Sequence, residues 1–267
     1  MSDSSNRYHK LIETIFFKYH KKGMKEVLFV REDLETTATE LGIKLPKNLG
    51  DVVYTYRYRS KLPDTITQLA PAGSEWVIRS TGQSKYVFSL STMPRIIPNE
   101  MLSETKIPNS TPGVIERYAL NDEQGLLARL RYNRLIDIFL GMACYSLQNH
   151  LRTTVPDMGQ IETDEIYIGL DKQGVHYIIP VQAKGGKDQL GTVQLEQDIA
   201  MCKYKFPNLE CIPVAAQFME NDLIALFSFE HSEKGISMLC EKHYRLVESA
   251  ELSDDEILKY GKRVKPT

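Results

Sequence analysis

Apolar residues at helical spacing mark the first element: Leu11, Ile12, Ile15, Phe16 and Tyr19 share one face of RYHKLIETIFFKYHKK. The short apolar run EVLFV predicts a strand. REDLETTATELGI predicts a second helix, with acids in its first turn and Gly42 at its C-terminal end. After the tight connection KLPKN, LGDVVYTYRYRSK predicts a third helix, although its β-branched and aromatic residues also suit a strand. EWVIRSTGQSKYVFSL reads as two strands around the turn STGQS. Residues 91–121 carry four prolines and little periodicity, which predicts an extended linker.

The second half begins with DEQGLLARLRYNRLIDIFLGMACYSLQNHL, whose apolar residues predict one long helix broken near Gly141. A hairpin follows in IETDEIYIGLDKQGVHYIIPVQAKGG, turning at Asp171–Gly174. GTVQLEQDIAMCKYKFP predicts a helix ended by proline. CIPVAAQFM, LIALFSFEH and ISMLCEKHYRLVE predict three more strands. The pattern divides the chain into a domain at 1–92, a linker at 93–121 and a second domain at 122–267.

With 267 residues, 42% of them hydrophobic, the chain is long enough for one large domain or two small ones. No apolar run approaches a membrane span, and MSDSSNRYHK lacks the apolar core of a signal peptide. The four cysteines are scattered, without a C-x-x-C pair, as expected for reduced thiols in a cytoplasmic protein. Net charge is −2, which excludes a uniformly basic nucleic-acid coat. The charge is unevenly spread, however. Residues 1–100 hold 15 Lys+Arg against 11 Asp+Glu, leaving 18 against 24 in the remainder. A basic front and an acidic back fit a DNA-holding domain joined to a carboxylate-rich catalytic one. The sequence contains no P-loop, no G-x-G-x-x-G and no G-x-S-x-G, so motors, dinucleotide enzymes and serine hydrolases lack support.

The order helix, strand, helix, tight turn, helix, hairpin resembles a winged helix-turn-helix, whose third helix enters the major groove. The matching positions are Lys47, Asn48, Tyr54, Arg57, Arg59 and Lys61 on that helix, with Arg79, Gln83, Ser84 and Lys85 on the wing. Several of these can meet phosphates or guanine edges.

The apolar strand VHYIIPV ends in Gln182-Ala183-Lys184, and burying such polar groups costs free energy unless they have partners. A hairpin in which paired residues sum to 345 supplies them. It sets Asp164 opposite Val181 and Glu162 opposite Ala183, at the open end where Gln182 and Lys184 share a face. Carboxylate, amide and backbone oxygens suit Mg²⁺, and a lysine beside them can orient water and offset developing charge on a phosphate. The constellation resembles the catalytic motif of the PD-(D/E)xK nuclease superfamily, which includes many type II restriction endonucleases. The resemblance covers residues 122–230. It implies an αβββαβ core, with a short first strand near 153–160. It also implies Asp164 as the acidic metal ligand and Gln182-Ala183-Lys184 as the (D/E)xK element. Gln182 departs from the usual acid and its neutral oxygen is a weaker metal ligand, so it stays open whether Gln182, Glu162 or another acid completes the site. Glu165 is expected to face away from Asp164, Asp171 to serve the turn, and Glu123 to cap its helix, the resemblance leaving it open as an additional metal ligand. His150 and Arg152 lie just before the hairpin.

The resemblance implies an α/β (α+β) chain acting as a Mg²⁺-dependent endonuclease on double-stranded DNA, with Mn²⁺ able to substitute. It further implies a homodimer, a cognate DNA methyltransferase as partner and no membrane association. Two other readings stay open. One is a DNA-binding regulator with an inactive nuclease-like domain. The other is a structure-specific DNA repair nuclease.

Overall fold

The computed structural model describes residues 3–58, 60–92, 95–120, 122–156, 158–185, 190–232 and 235–263. Arg59, a candidate DNA contact, lies outside them. The chain is a mixed α/β protein.

The N-terminal unit runs α1 (Asp3–Tyr19), β1 (Glu26–Val30), α2 (Arg31–Glu40), α3 (Gly50–Tyr58), a single turn α4 (Asp64–Thr67), β2 (Glu75–Gly82) and β3 (Lys85–Ser91). The strands form an antiparallel sheet in the order β1-β3-β2. The predicted apolar face of α1 is the core of this unit. Leu11, Ile12, Ile15 and Phe16 are fully buried against Val27, Trp76, Ile78 and Phe88. Asp33 ties the first two helices together. Its carboxylate accepts from the Val30 N–H at 2.8 Å and from the Tyr19 hydroxyl at 2.5 Å. The third helix is real but shorter than the pattern suggested. Only Tyr54 and Arg57 of the proposed contacts lie on α3, because Lys47 and Asn48 precede it and Lys61 follows it.

The segment read as a linker is structured. It contributes β4 (Arg95–Ile96), β5 (Glu104–Pro108) and α5 (Gly113–Tyr118). Strand β5 pairs in parallel with a strand far along the chain, which no local pattern could have shown.

The long helix of the sequence reading is three elements: α6 (Glu123–Tyr132), α7 (Leu135–Leu140) and the strand β6 (Ala143–Val155). Asn133 stops α6. Its side chain is held by Thr111 and by the Arg129 carbonyl, and Arg134 then takes a left-handed conformation. Gly141 has φ +68 and terminates α7. The first strand of the core therefore starts earlier and runs longer than 153–160. Next come β7 (Gly159–Leu170), β8 (His176–Lys184), β9 (Leu190–Gly191), α8 (Thr192–Lys205), β10 (Glu210–Cys211), β11 (Val214–Phe218), β12 (Leu223–Ser232), β13 (Gly235–Val247) and α9 (Asp254–Arg263).

The large sheet has the order β5-β13-β12-β11-β8-β7-β6, with β10 beside β8. Strands β6, β7 and β8 are antiparallel neighbours, and β11 returns parallel to β8 after α8. Helix α6 covers one face through Leu126, Leu127 and Leu130, packed with Val181 and Ala183. Helix α8 covers the other through Met201 and Cys202, packed with Ile161, Ile166 and Ile178. A position needing no side chain marks the entry to α6, where a Cβ on Gly125 would stand 1.8 Å from the Leu120 carbonyl oxygen.

Candidate functional site

The site grows out of the β7–β8 hairpin. Its turn is closed by Asp171, whose Oδ1 accepts from the Gln173 and Val175 N–H groups, both at 2.9 Å. These bonds hold the Asp171 carboxyl below the usual range, the Val175 N–H contributing most. The connection thus spans Asp171–Val175, one residue longer than the four-residue turn read from the sequence. The register shifts with it. Paired residues sum to 346, from Leu170↔His176 to Glu165↔Val181. Asp164 consequently stands opposite neither Val181 nor any laddered partner, because the pairing stops at Glu165.

At that point the side chain of Asp164 replaces the ladder. Its Oδ2 accepts from the Ala183 N–H at 2.8 Å, which joins the end of β8 to β7. Burial raises the Asp164 pKa above the ordinary carboxylate value. The Ala183 bond and the Lys184 charge act against that rise, while Glu123 and Glu162 add to it. Asp164 is therefore a largely buried carboxyl with Glu123, Glu162, Asp198 and Lys184 in electrostatic range, an environment that favours an added cation.

Glu123 reaches the site because it opens α6. The cap is supplied by Asp122, whose Oδ1 accepts from the Gly125 N–H at 2.9 Å, so the capping role expected of Glu123 belongs to its neighbour. The end of β8 runs against this helix start: a Cβ on Gly185 would lie 3.5 Å from Asp122 Cα. Glu162 is engaged on β6, where Arg152 pairs with its Oε2 at 3.0 Å and His150 with its Oε1 at 3.2 Å. Glu165 is fully buried and bound elsewhere, by Arg131 at 2.8 Å, the Tyr167 hydroxyl at 2.8 Å and the Ser146 hydroxyl at 3.1 Å.

Gln182 is buried, and behind it sits a residue the sequence reading missed. Asp198 of α8 has no exposed surface. Its carboxylate accepts from the Thr163 hydroxyl at 2.5 Å and from Gln182 Nε2 at 3.0 and 3.2 Å. Burial pushes the Asp198 carboxyl up to about 7; its two donors pull the other way and Asp164 adds to the rise. The signal was present in the sequence. Asp198 falls on the same helical face as Leu195, Ile199 and Cys202, an acid in an apolar stripe.

Asp164, Gln182, Lys184 and Glu162 line one cleft of about 980 Å³ between the two units. Its other wall is N-terminal: Asn48, Tyr54, Arg57, Gln83 and Ser84. The units are bonded across α8. The Tyr58 hydroxyl donates to Gln197 Oε1 at 2.6 Å, and Arg79 makes a two-pronged pair with Glu196 at 2.6 and 2.7 Å. The hairpin tip β2–β3 and the end of α3 thus face the open end of the β7–β8 hairpin. Asn48 shapes the start of α3 by bonding Asp51 at 2.7 Å, and the Arg57 guanidinium lies 4.9 Å from the Tyr58 ring centroid. Lys47, Lys61 and Lys85 are exposed.

Arg79, expected to meet DNA from the wing, is committed to Glu196 in this arrangement. Arg79→Ala is expected to cost ~1.5–3 kcal/mol of stability, the range for hydrogen bonds to charged groups. It should leave the salt dependence of DNA binding unchanged. Thermal melting and a salt titration check this. Loss of about one unit of slope would instead place Arg79 on a phosphate.

Among the described residues, no three His, Cys, Asp or Glu side chains come together at metal-ligand spacing. A hard cation is still matched by the donor types present, because Mg²⁺ needs only one or two carboxylates and keeps several waters. Asp164 offers a carboxylate. Gln182, its nitrogen already used, offers an amide oxygen. No family model, curated protein or solved structure matches the chain. No helix among the described residues is long and apolar enough to cross a membrane.

Proposed function

We propose that the chain is a Mg²⁺-dependent DNA endonuclease, of the restriction-enzyme kind, with a PD-(D/E)xK core and a winged-helix reader. The core reading is supported by the succession α6, β6, β7, β8, α8, β11, in which β11 runs parallel to β8. The reader is supported by three helices and a β2–β3 hairpin wing around a separate core.

The observation that carries the reading is the meeting of Asp164 with Gln182-Ala183-Lys184 where β7 leaves β8, on a cleft whose other wall is the N-terminal unit. One space then holds both reading and cutting groups.

Asp164 and Gln182 would hold the ion, since both Glu162 oxygens are already engaged, one by Arg152 and one by His150. The ion, when bound, would acidify water and neutralise charge on the scissile phosphate. Lys184 stands at the end of a rigid strand. Its ammonium orients the attacking water and offsets charge developing on the phosphate oxygens. The Ala183 N–H bond fixes Asp164, so the acid needs little rearrangement on binding substrate. Glu123 and Glu162 keep the local field negative, which favours cation capture. Asn48, Tyr54, Arg57, Gln83 and Ser84 bind the duplex from the opposite wall.

Arg57→Ala in the full chain tests the reader. If Arg57 reads a base edge, the cost is ~1–3 kcal/mol at particular sequences. If it touches phosphate, every sequence weakens alike and the salt slope flattens by about one unit. A gel shift without cutting at any Mg²⁺ concentration would favour the regulator reading. Cutting confined to junctions or flaps would favour the repair nuclease. Unchanged DNA affinity in the variant would remove Arg57 from the interface.

A further inference from the structure

The resemblance expects an acid at position 182, and the chain has glutamine. An amide presents either its nitrogen or its oxygen to a cleft, according to what stands behind it. Three acceptors stand behind Gln182. Two are the Asp198 oxygens, at 3.0 and 3.2 Å from Nε2. The third is the Glu162 backbone carbonyl at 3.2 Å. The Thr163 hydroxyl also donates to Asp198, at 2.5 Å, so both Asp198 oxygens are turned to donors, and in the ionised form, which these donors favour, Asp198 has only acceptors to offer. All three neighbours therefore claim the amide nitrogen. The Gln182 oxygen accepts no hydrogen bond among the described residues, and Gln182 lines the cleft beside Asp164 and Lys184. A glutamate at 182 would instead set a second carboxylate where the amide nitrogen now sits, against an acid with no exposed surface. Like charges that close inside a protein are strongly disfavoured.

We infer that Asp198 is a positioning residue that holds the Gln182 amide with its oxygen toward the cleft, and that its presence is why position 182 carries glutamine rather than an acid. What that oxygen then contacts, a hard divalent cation, rests on the proposed function. The pairing of Asp198 with Gln182 does not.

The test uses four full-length proteins: the native chain, Asp198→Asn, Gln182→Glu and the double variant. Two quantities are read. One is the thermal midpoint in chelator; the other is Mg²⁺ affinity by calorimetry without DNA. Gln182→Glu alone is expected to lower the midpoint, and adding Asp198→Asn should restore most of the loss, because the second carboxylate then meets an amide. Asp198→Asn alone should stay folded and bind Mg²⁺ about tenfold more weakly, the usual cost of removing a group that orients a ligand. An asparagine can donate as well as accept, so the Gln182 amide is no longer held one way. The double variant, with an ionised oxygen at 182, should recover the native Mg²⁺ affinity or exceed it.

Additive midpoint changes would overturn the pairing, and native Mg²⁺ affinity in Asp198→Asn would overturn the positioning role. If Gln182→Glu is too unstable to purify, a folded double variant is the expected rescue, and an equally unfolded one overturns the inference. A native chain that binds no Mg²⁺ would defeat the nuclease reading, while the midpoint cycle still decides whether Asp198 dictates the residue at 182.

Discussion

Lys184→Ala is expected to abolish cleavage, by about 10²-fold or more, while leaving DNA affinity close to native. The magnitude is that of removing one donor aimed at transition-state charge. The lysine sits at the last position of β8, on the cleft rim and in electrostatic range of Asp164. Its charge is one of several facing the cleft, so binding should survive its loss. The chemical step should not, because Lys184 is the lysine whose charge acts on Asp164 at the end of β8. Single-turnover cleavage and equilibrium DNA binding on the same variant separate the two effects. Near-native cutting would remove this hairpin end from the chemistry.

Asp164→Asn is expected to lose Mg²⁺ binding and activity together, whereas Asp171→Asn should lose neither. Both acids lie on one hairpin, some seven positions apart in sequence. Asp171 is satisfied by its own turn through two backbone N–H groups and the Tyr177 hydroxyl at 3.1 Å, which leaves it stable and ionised without an ion. Asp164 has a raised pKa and one described hydrogen bond, so it gains from a cation. Asparagine at 164 can still accept from the Ala183 N–H, and the hairpin should stay folded. At 171 the cost should appear only as a modest fall in the thermal midpoint, from the turn hydrogen bonds that weaken. Calorimetric titration with Mg²⁺ or Mn²⁺ reads the difference. Equal losses would show that the divergence of β7 from β8 has no special role.

Much of the element order was legible because periodicity is local. The α1 stripe, the EVLFV strand, the β2–β3 hairpin and the strands β11 to β13 all follow from their own residues. Strand β6 was not, since it is an edge strand and most of YSLQNHLRT is exposed or half-exposed, so no alternation of burial shows in it. Its residues read instead as the tail of the preceding helix. Strand β5 was hidden for a different reason: its partner, β13, begins more than a hundred residues later. The hairpin turn was placed correctly, but one extra loop residue moved the register, and with it the partners of Asp164. The convergence itself survived, because it depends on where β7 and β8 part rather than on any single pair. Arg79 shows the limit of reading charge alone. A basic wing residue suggests DNA, and only the fold reveals Glu196 in front of it. Asp198 was readable in principle from its place on an apolar helix face, yet a lone acid in a helix more commonly faces water.

On the proposed function, one cleft reads and cuts DNA with a divalent ion held at Asp164. Closed circular duplex DNA incubated with the full chain tests it most directly, with Mg²⁺ in one arm and chelator in the other, and both methylated and unmethylated substrates in each. Nicked or linear product is expected at defined sequence positions in at least one Mg²⁺ sample, with none in chelator and none from Lys184→Ala. Intact circles in every Mg²⁺ sample, with the protein bound to them, would contradict it.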